Sequence, residues 1–222
     1  MRNLRIGIMV VLSVLCAGAV WAAQFAPVPQ TGQTLCYDSD GILIDPCDGT
    51  GQDGEFQKGV DFPTPRFTDK RDGTIKDNLT GLIWLKNADC IGTEHPLFDN
   101  DGLAEDGMVN WQHALDFVAG INNGTYNCGD TSGKGGNYRT DWRLPNIREL
   151  LSLLDYGHFE PAIPSPHPFQ NFRIAFYWSS TTGANRSEAW RVSFSNGFTT
   201  SSPKKFHDNT FDSFVIAVRG GS

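Results

Sequence analysis

An α+β fold built on an antiparallel sheet is predicted for this chain by three observations. Short strand-like runs come first, two helical segments follow, and strand-like runs return, the order expected of segregated helices and hairpins. The helical segments carry apolar residues at 3.6-residue spacing. The turns between strand runs are Asp72-Gly73, Leu79-Thr80-Gly81 and Asn196-Gly197, all suited to hairpins.

The sharpest local signal is Asp141-Trp142-Arg143-Leu144-Pro145-Asn146-Ile147-Arg148-Glu149-Leu150. Pro145 biases Leu144 to an extended backbone, and Asn146 followed three residues later by Glu149 reads as a variant capping box. Ile147, Leu150, Leu151 and Leu154 then fall on one helical stripe facing a core. Arg143 and Arg148 are read as fixing this helix start or pairing with carboxylates.

From the beginning, Met1 to Ala23 has two early arginines, an apolar run from Ile6 to Leu15 and small residues before Ala23. The run is shorter than the ~20 residues a bilayer needs, so residues 1–22 are expected to be a secretory signal, with no membrane span. Their removal takes Arg2 and Arg5 from 18 basic residues, leaving 16 against 25 acidic, a net charge of −9 with neutral histidines. That balance argues against nucleic acid as a partner. The remaining roughly 200 residues suffice for one domain with an appendage.

Residues 23–65 are rich in Gly, Asp, Pro, Gln and Thr and show hardly any apolar periodicity, so they read as an arm closed by a disulfide. Cys36, Cys47, Cys90 and Cys128 remain after signal removal. Four thiols in an exported chain imply two bridges and allow three pairings. Cys36 with Cys47 and Cys90 with Cys128 are favoured, since each pair closes a loop inside one segment, worth roughly 3 and roughly 4 kcal/mol on the loop-entropy model. No cofactor is implied, calcium excepted: Asp38, Asp40 and Asp45, with Asp48 and Asp53, cluster around Gly41 and Gly49, and Asp99 and Asp101 flank Asn100 ahead of Gly102, Glu105 and Asp106. Hard cations take such oxygen sets, whereas solvated Asp/Gly turns produce the same pattern without a metal.

Residues 66–221 make the main domain. Phe67-Thr68-Asp69, Thr74 to Asp77 and Leu82 to Leu85 are expected strands, and Val109 to Asn122 an amphipathic helix ended by Asn123-Gly124. Thr125 to Thr140 is a Gly-rich loop pinned by Cys128; its order does not match a phosphate-binding loop. Four prolines make Glu160 to Phe169 irregular, after which Ala175 to Thr181, Glu188 to Phe194 and Phe214 to Arg219 read as strands. In the middle one Trp190, Val192 and Phe194 should face the core and Arg191, Ser193 and Ser195 water. Trp84, Trp111, Trp142, Trp178 and Trp190 all sit on core-like positions.

Catalytic patterns are thin. His95, His113, His158, His167 and His207 have no zinc-hydrolase spacing, no G-x-S-x-G elbow occurs, and Asp155 and Glu160 are best read as solvated loop carboxylates. For binding, the stretch Thr199 to Asp212 is expected to be a loop offering Lys204, Lys205, Phe206 and His207, cations beside an aromatic ring suited to a sugar.

Asp77 to Trp84, the Trp111 to Asn122 helix, Asp141 to Pro145, Tyr177-Trp178-Ser179-Ser180-Thr181 and Val218-Arg219-Gly220 together resemble the Lcl C-terminal domain family over about residues 66–221. The resemblance implies a C-type-lectin-like fold in a secreted or surface bacterial protein. The adhesin that names the family binds sulfated glycans and carries collagen-like repeats, whereas this chain is acidic and has no G-x-y run. The Trp-Arg-Leu-Pro stretch is also similar to one in formylglycine-generating enzymes, which use a late cysteine pair; no cysteine follows Cys128 here. The expected function is therefore an exported, non-catalytic binding module for a glycan or a surface protein, with a structural envelope subunit as the alternative.

Overall fold

The computed structural model describes residues 28–98, 106–205 and 212–220. The expected signal segment, Asp99, Asp101, Phe206 and His207 lie outside the described residues.

In the arm, β1 (Cys36–Tyr37) and β2 (Leu43–Ile44) pair as a short hairpin, followed by one turn of helix, α1 (Asp53–Phe56). The Cys36–Cys47 bridge closes it, with Cα atoms 5.5 Å apart. The arm is seated on the main domain: Tyr156 N donates to Thr31 O at 2.7 Å, and Gly32 lies so close to the Asp155 carboxylate that a Cβ there would meet it. Asp155 is consequently buried and paired with His158 at 2.9 Å, rather than solvated as its loop sequence suggests.

The main domain opens with β3 (Phe67–Asp69), β4 (Thr74–Asp77) and β5 (Ile83–Leu85), a meander whose Asp72-Gly73 turn is tightened by Asp72 Oδ1 accepting from Thr74 N and Oγ1. α2 (Cys90–Glu94) and α3 (Trp111–Asn122) follow, each with an acceptor at its N-cap: Asp89 takes Gly92 N, and Asn110 takes His113 N. α4 (Ile147–Leu151) has the full capping box, Asn146 accepting from Glu149 N and Glu149 from Asn146 N. It is shorter than the apolar stripe suggested. Ser152 Oγ bonds Glu149 O, and Leu153 and Leu154 donate to carbonyls three residues back, so tight turns rather than α-helix bury both leucines.

β6 (Phe176–Thr182), β7 (Glu188–Ser193) and β8 (Thr199–Pro203) form a second antiparallel sheet. The final strand, β9 (Val218–Arg219), returns to the first sheet beside β5, giving the order β3-β4-β5-β9. Of the run expected as one strand from Phe214, only these two residues pair in a sheet. The stretch before them is a buried spine whose side chains alternate between two cores. Phe214, Ile216 and Val218 join Trp84, Leu150, Tyr177 and Phe194; Val215 and Ala217 join Leu85, Phe117, Trp142 and Trp178. β5 and β6 divide in the same way, Trp84 and Tyr177 to one side, Leu85 and Trp178 to the other.

The wet face expected of β7 is largely buried, with Ser195 just beyond the strand half-buried. Arg191 and Ser193 are buried, with the Arg191 guanidinium 4.1 Å from the Phe176 ring centroid and Nη1 on Ser213 Oγ. Among the tryptophans, Trp84, Trp142 and Trp178 are core, whereas Trp111 and Trp190 are half-buried. The stretch expected to be a loop from Thr199 begins instead with β8, which pairs with β7 from Thr199↔Val192 to Pro203↔Glu188.

Candidate functional site

The long loop after α3 is positioned from four directions. The Cys90–Cys128 bridge, Cα atoms 5.6 Å apart, fastens it to the start of α2. At the end of α2, the His95 ring packs against Phe117 and Tyr126, and Asn127 N donates to its Nε2 at 3.1 Å. Farther along, the Asp130 carboxylate accepts from Ser132 N and Arg139 N at 2.8 Å and from Trp142 Nε1 at 2.9 Å. Burial pushes the Asp130 carboxyl up, but the bonds from Ser132, Arg139 and Trp142 outweigh it and hold the group below the usual carboxylate range. Finally, the β3–β4 turn docks on the loop: Thr131 N donates to Asp72 O at 2.9 Å, and a Cβ on Gly73 would fall 1.9 Å from Gly129 O. Gly73 also has φ +80°, so glycine is required there on two counts.

Three grooves meet at this fastened loop. The first, about 500 Å³, lies between the β3–β4 turn and the bridge and is lined by Asp69, Arg71, Lys86, Glu94, Asn127 and Gln170 among others. A second, about 750 Å³, is aromatic, with His95, Phe98, His113 and Tyr126. The third, about 270 Å³, runs beneath Tyr126, Asn127, Asn137 and Tyr138. Glu94 is shared by the first and second, Tyr126 by the second and third, and Asn127 and Cys128 by the first and third. The result is one continuous face of amides, carboxylates and rings around the second bridge. Tyr138, 43% exposed, presents its ring on that face.

Sequence reasoning identified the loop as pinned but did not identify it as a site. The available signal was composition: Tyr126-Asn127-Cys128 and Asn137-Tyr138 place rings and amides on both sides of the bridge. The residues named from sequence are placed differently. Lys204 is half-buried at the end of β8, its Nζ 4.2 Å from the Trp111 ring centroid and 2.9 Å from Thr182 Oγ1, so its charge is already engaged. Lys205 is exposed beside it.

Asp38, Asp40 and Asp45 are exposed in the arm; Asp38 Oδ1 accepts from Asp40 N and Ile42 N, closing the β1–β2 turn. Among the described residues, the single set of three His, Cys, Asp or Glu ligand atoms lying within 4.8 Å of one another is Cys90, His95 and Cys128. Two of those three are joined in the disulfide, so they present no thiolate to a metal. Arg143 has the role expected of it, a bidentate pair with Glu149 at 2.6 Å that braces the α4 cap.

The fold and its site thus define a bridge-stapled α+β domain that displays a loop face on a two-core scaffold. The family model of the Lcl C-terminal domain matches residues 73–219, and the chain belongs to that family. No curated protein matches it closely enough to count as a relative.

Proposed function

We propose that this protein is an exported, non-catalytic binding module that presents a C-type-lectin-like loop face to a glycan or a surface protein. The observation that carries the reading is the convergence of three grooves on a loop fastened by a disulfide, an aspartate hub and a docked hairpin. Binding needs surfaces held still before the ligand arrives, and each fastening lowers the ordering cost of association. Amides and carboxylates supply hydrogen bonds to hydroxyls, and Tyr138 supplies a flat apolar face. Two disulfides suit an oxidising compartment, and no helix among the described residues is long and apolar enough to cross a membrane. Family membership supports an adhesin-like role over an enzymatic one.

The test is a screen of the purified protein, residues 23–222 with both bridges formed, against immobilised glycans and intact cells. Tyr138→Ala, an exposed change, is expected to weaken binding roughly tenfold with an unchanged melting temperature. Loss on Lys205→Ala instead would move the site to the late segment after β8. Absence of binding to every surface tested would end the binding-module reading.

A further inference from the structure

The groove beside the β3–β4 turn is electrically balanced, and the side chains in it without a hydrogen-bond partner among the described residues are those a sugar ring needs. Asp69 and Lys86 form an ion pair at 2.8 Å, and the neighbouring Arg71 charge also favours the Asp69 carboxylate. Arg71 stands next to them at φ +59°, a conformation that disfavours a residue bearing a Cβ, with its backbone N on Asp69 Oδ1 at 2.8 Å. The Arg71 guanidinium, the Glu94 carboxylate and the Gln170 side-chain amide have no hydrogen-bond partner among the described residues, and all three line this groove. Asn87 beneath them is occupied: its side chain bonds Thr93, Asp89 N and Asn171. Backbone bonds join the two segments of the floor: Gln170 N donates to Lys86 O at 2.8 Å and Ala88 N to Gln170 O at 2.9 Å.

Resting on the binding-module reading, we infer that this groove is a subsite for a neutral, hydroxyl-rich sugar residue: Glu94 accepts from hydroxyls, Arg71 donates to them, and Gln170 does both. The charged groups lining it, Asp69, Glu94, Arg71 and Lys86, sum to zero, so a polyanion finds no excess of positive charge in the groove. The formal charge of the chain, −7, repels it at longer range. At about 500 Å³ the groove falls within the ~300–1,000 Å³ span of small-ligand sites, but its polar lining suits hydroxyls better than an apolar ligand.

The experiment uses the same bridged protein and measures affinity for neutral oligosaccharides ending in glucose, galactose, mannose or N-acetylglucosamine, with heparin at low salt as the anionic comparison. One or more neutral oligosaccharides should bind, and Glu94→Gln and Gln170→Ala should each lower that affinity roughly tenfold. Arg71→Gly should lower it similarly without reducing the melting temperature, because glycine relieves the left-handed backbone, an outcome a purely structural arginine would not give. Neutral binding that survives all three changes in folded protein overturns the subsite and leaves the module standing. Binding of heparin alone overturns the neutral-sugar inference in the same way. No binding by any probe, glycan or cell, overturns both.

Discussion

Asp130 shows how one side chain organises a loop whose regular structure is a single 3-10 turn, Lys134–Gly136. Its three donors come from Ser132, Arg139 and Trp142, and the last ties the loop to the core. Trp142→Phe keeps most of the ring and removes the Nε1 donor; urea denaturation is expected to show a loss of roughly 1.5–3 kcal/mol, the range for a hydrogen bond to a charged group. Because the folded group titrates below its ordinary 3.8, its stabilisation is complete above that pH and is lost as pH falls through the folded value. Asp130→Asn should therefore flatten the acid limb of a stability–pH curve. His167 acts higher on the scale: burial holds its imidazole below 6.5, so stability falls as pH drops from 6.5 toward the folded value, and His167→Phe should remove that part of the slope. Neither residue was legible in this role. Asp130 sits in Gly-rich sequence, and its tie to Trp142 depends on tertiary structure that no spacing rule encodes. Arg191 was misread for a related reason, since residue type suggested water where the spine supplies Ser213 and β6 supplies the Phe176 ring.

At the level of elements, those with strong local chemistry were read closely and those without it were not. The α4 start was visible because Pro145, Asn146 and Glu149 act within a few residues of one another. Glu149→Ala removes half of the capping box and both bonds to Arg143; a loss of roughly 1–3 kcal/mol is expected in thermal or urea unfolding. β8 escaped notice because Thr199–Pro203 holds no apolar residue and forms an edge of its sheet, where polar residues are tolerated. The seat of the β3–β4 turn on Gly129 was equally hidden, since two glycines announce flexibility and not contact. Gly73→Ala tests that seat: the added methyl meets backbone, not a yielding side chain, and a destabilisation of at least about 2 kcal/mol is expected, together with faster amide exchange at Thr131.

The molecule as a whole relies on long-range connections. The second bridge spans a separation of 38 residues, and replacing Cys90 and Cys128 by serine is expected to cost roughly 4 kcal/mol on the loop-entropy model, measurable by urea unfolding against the oxidised parent. The pairing was legible from cysteine spacing, but its place at the meeting of three grooves was not, because the groove walls come from β3–β4, α2 and the 125–140 loop, far apart in sequence. The last strand adds a further consequence. Val218 pairs with Trp84 in the sheet and with Arg143 through an isolated bridge, while the spine before it divides the two cores. A chain synthesised from its N-terminus therefore has every other element available before the piece that separates and seals them arrives. Maturation of this domain is accordingly expected to be a late, all-at-once event, with nascent chains ending before position 213 open to protease and chains reaching position 220 resistant.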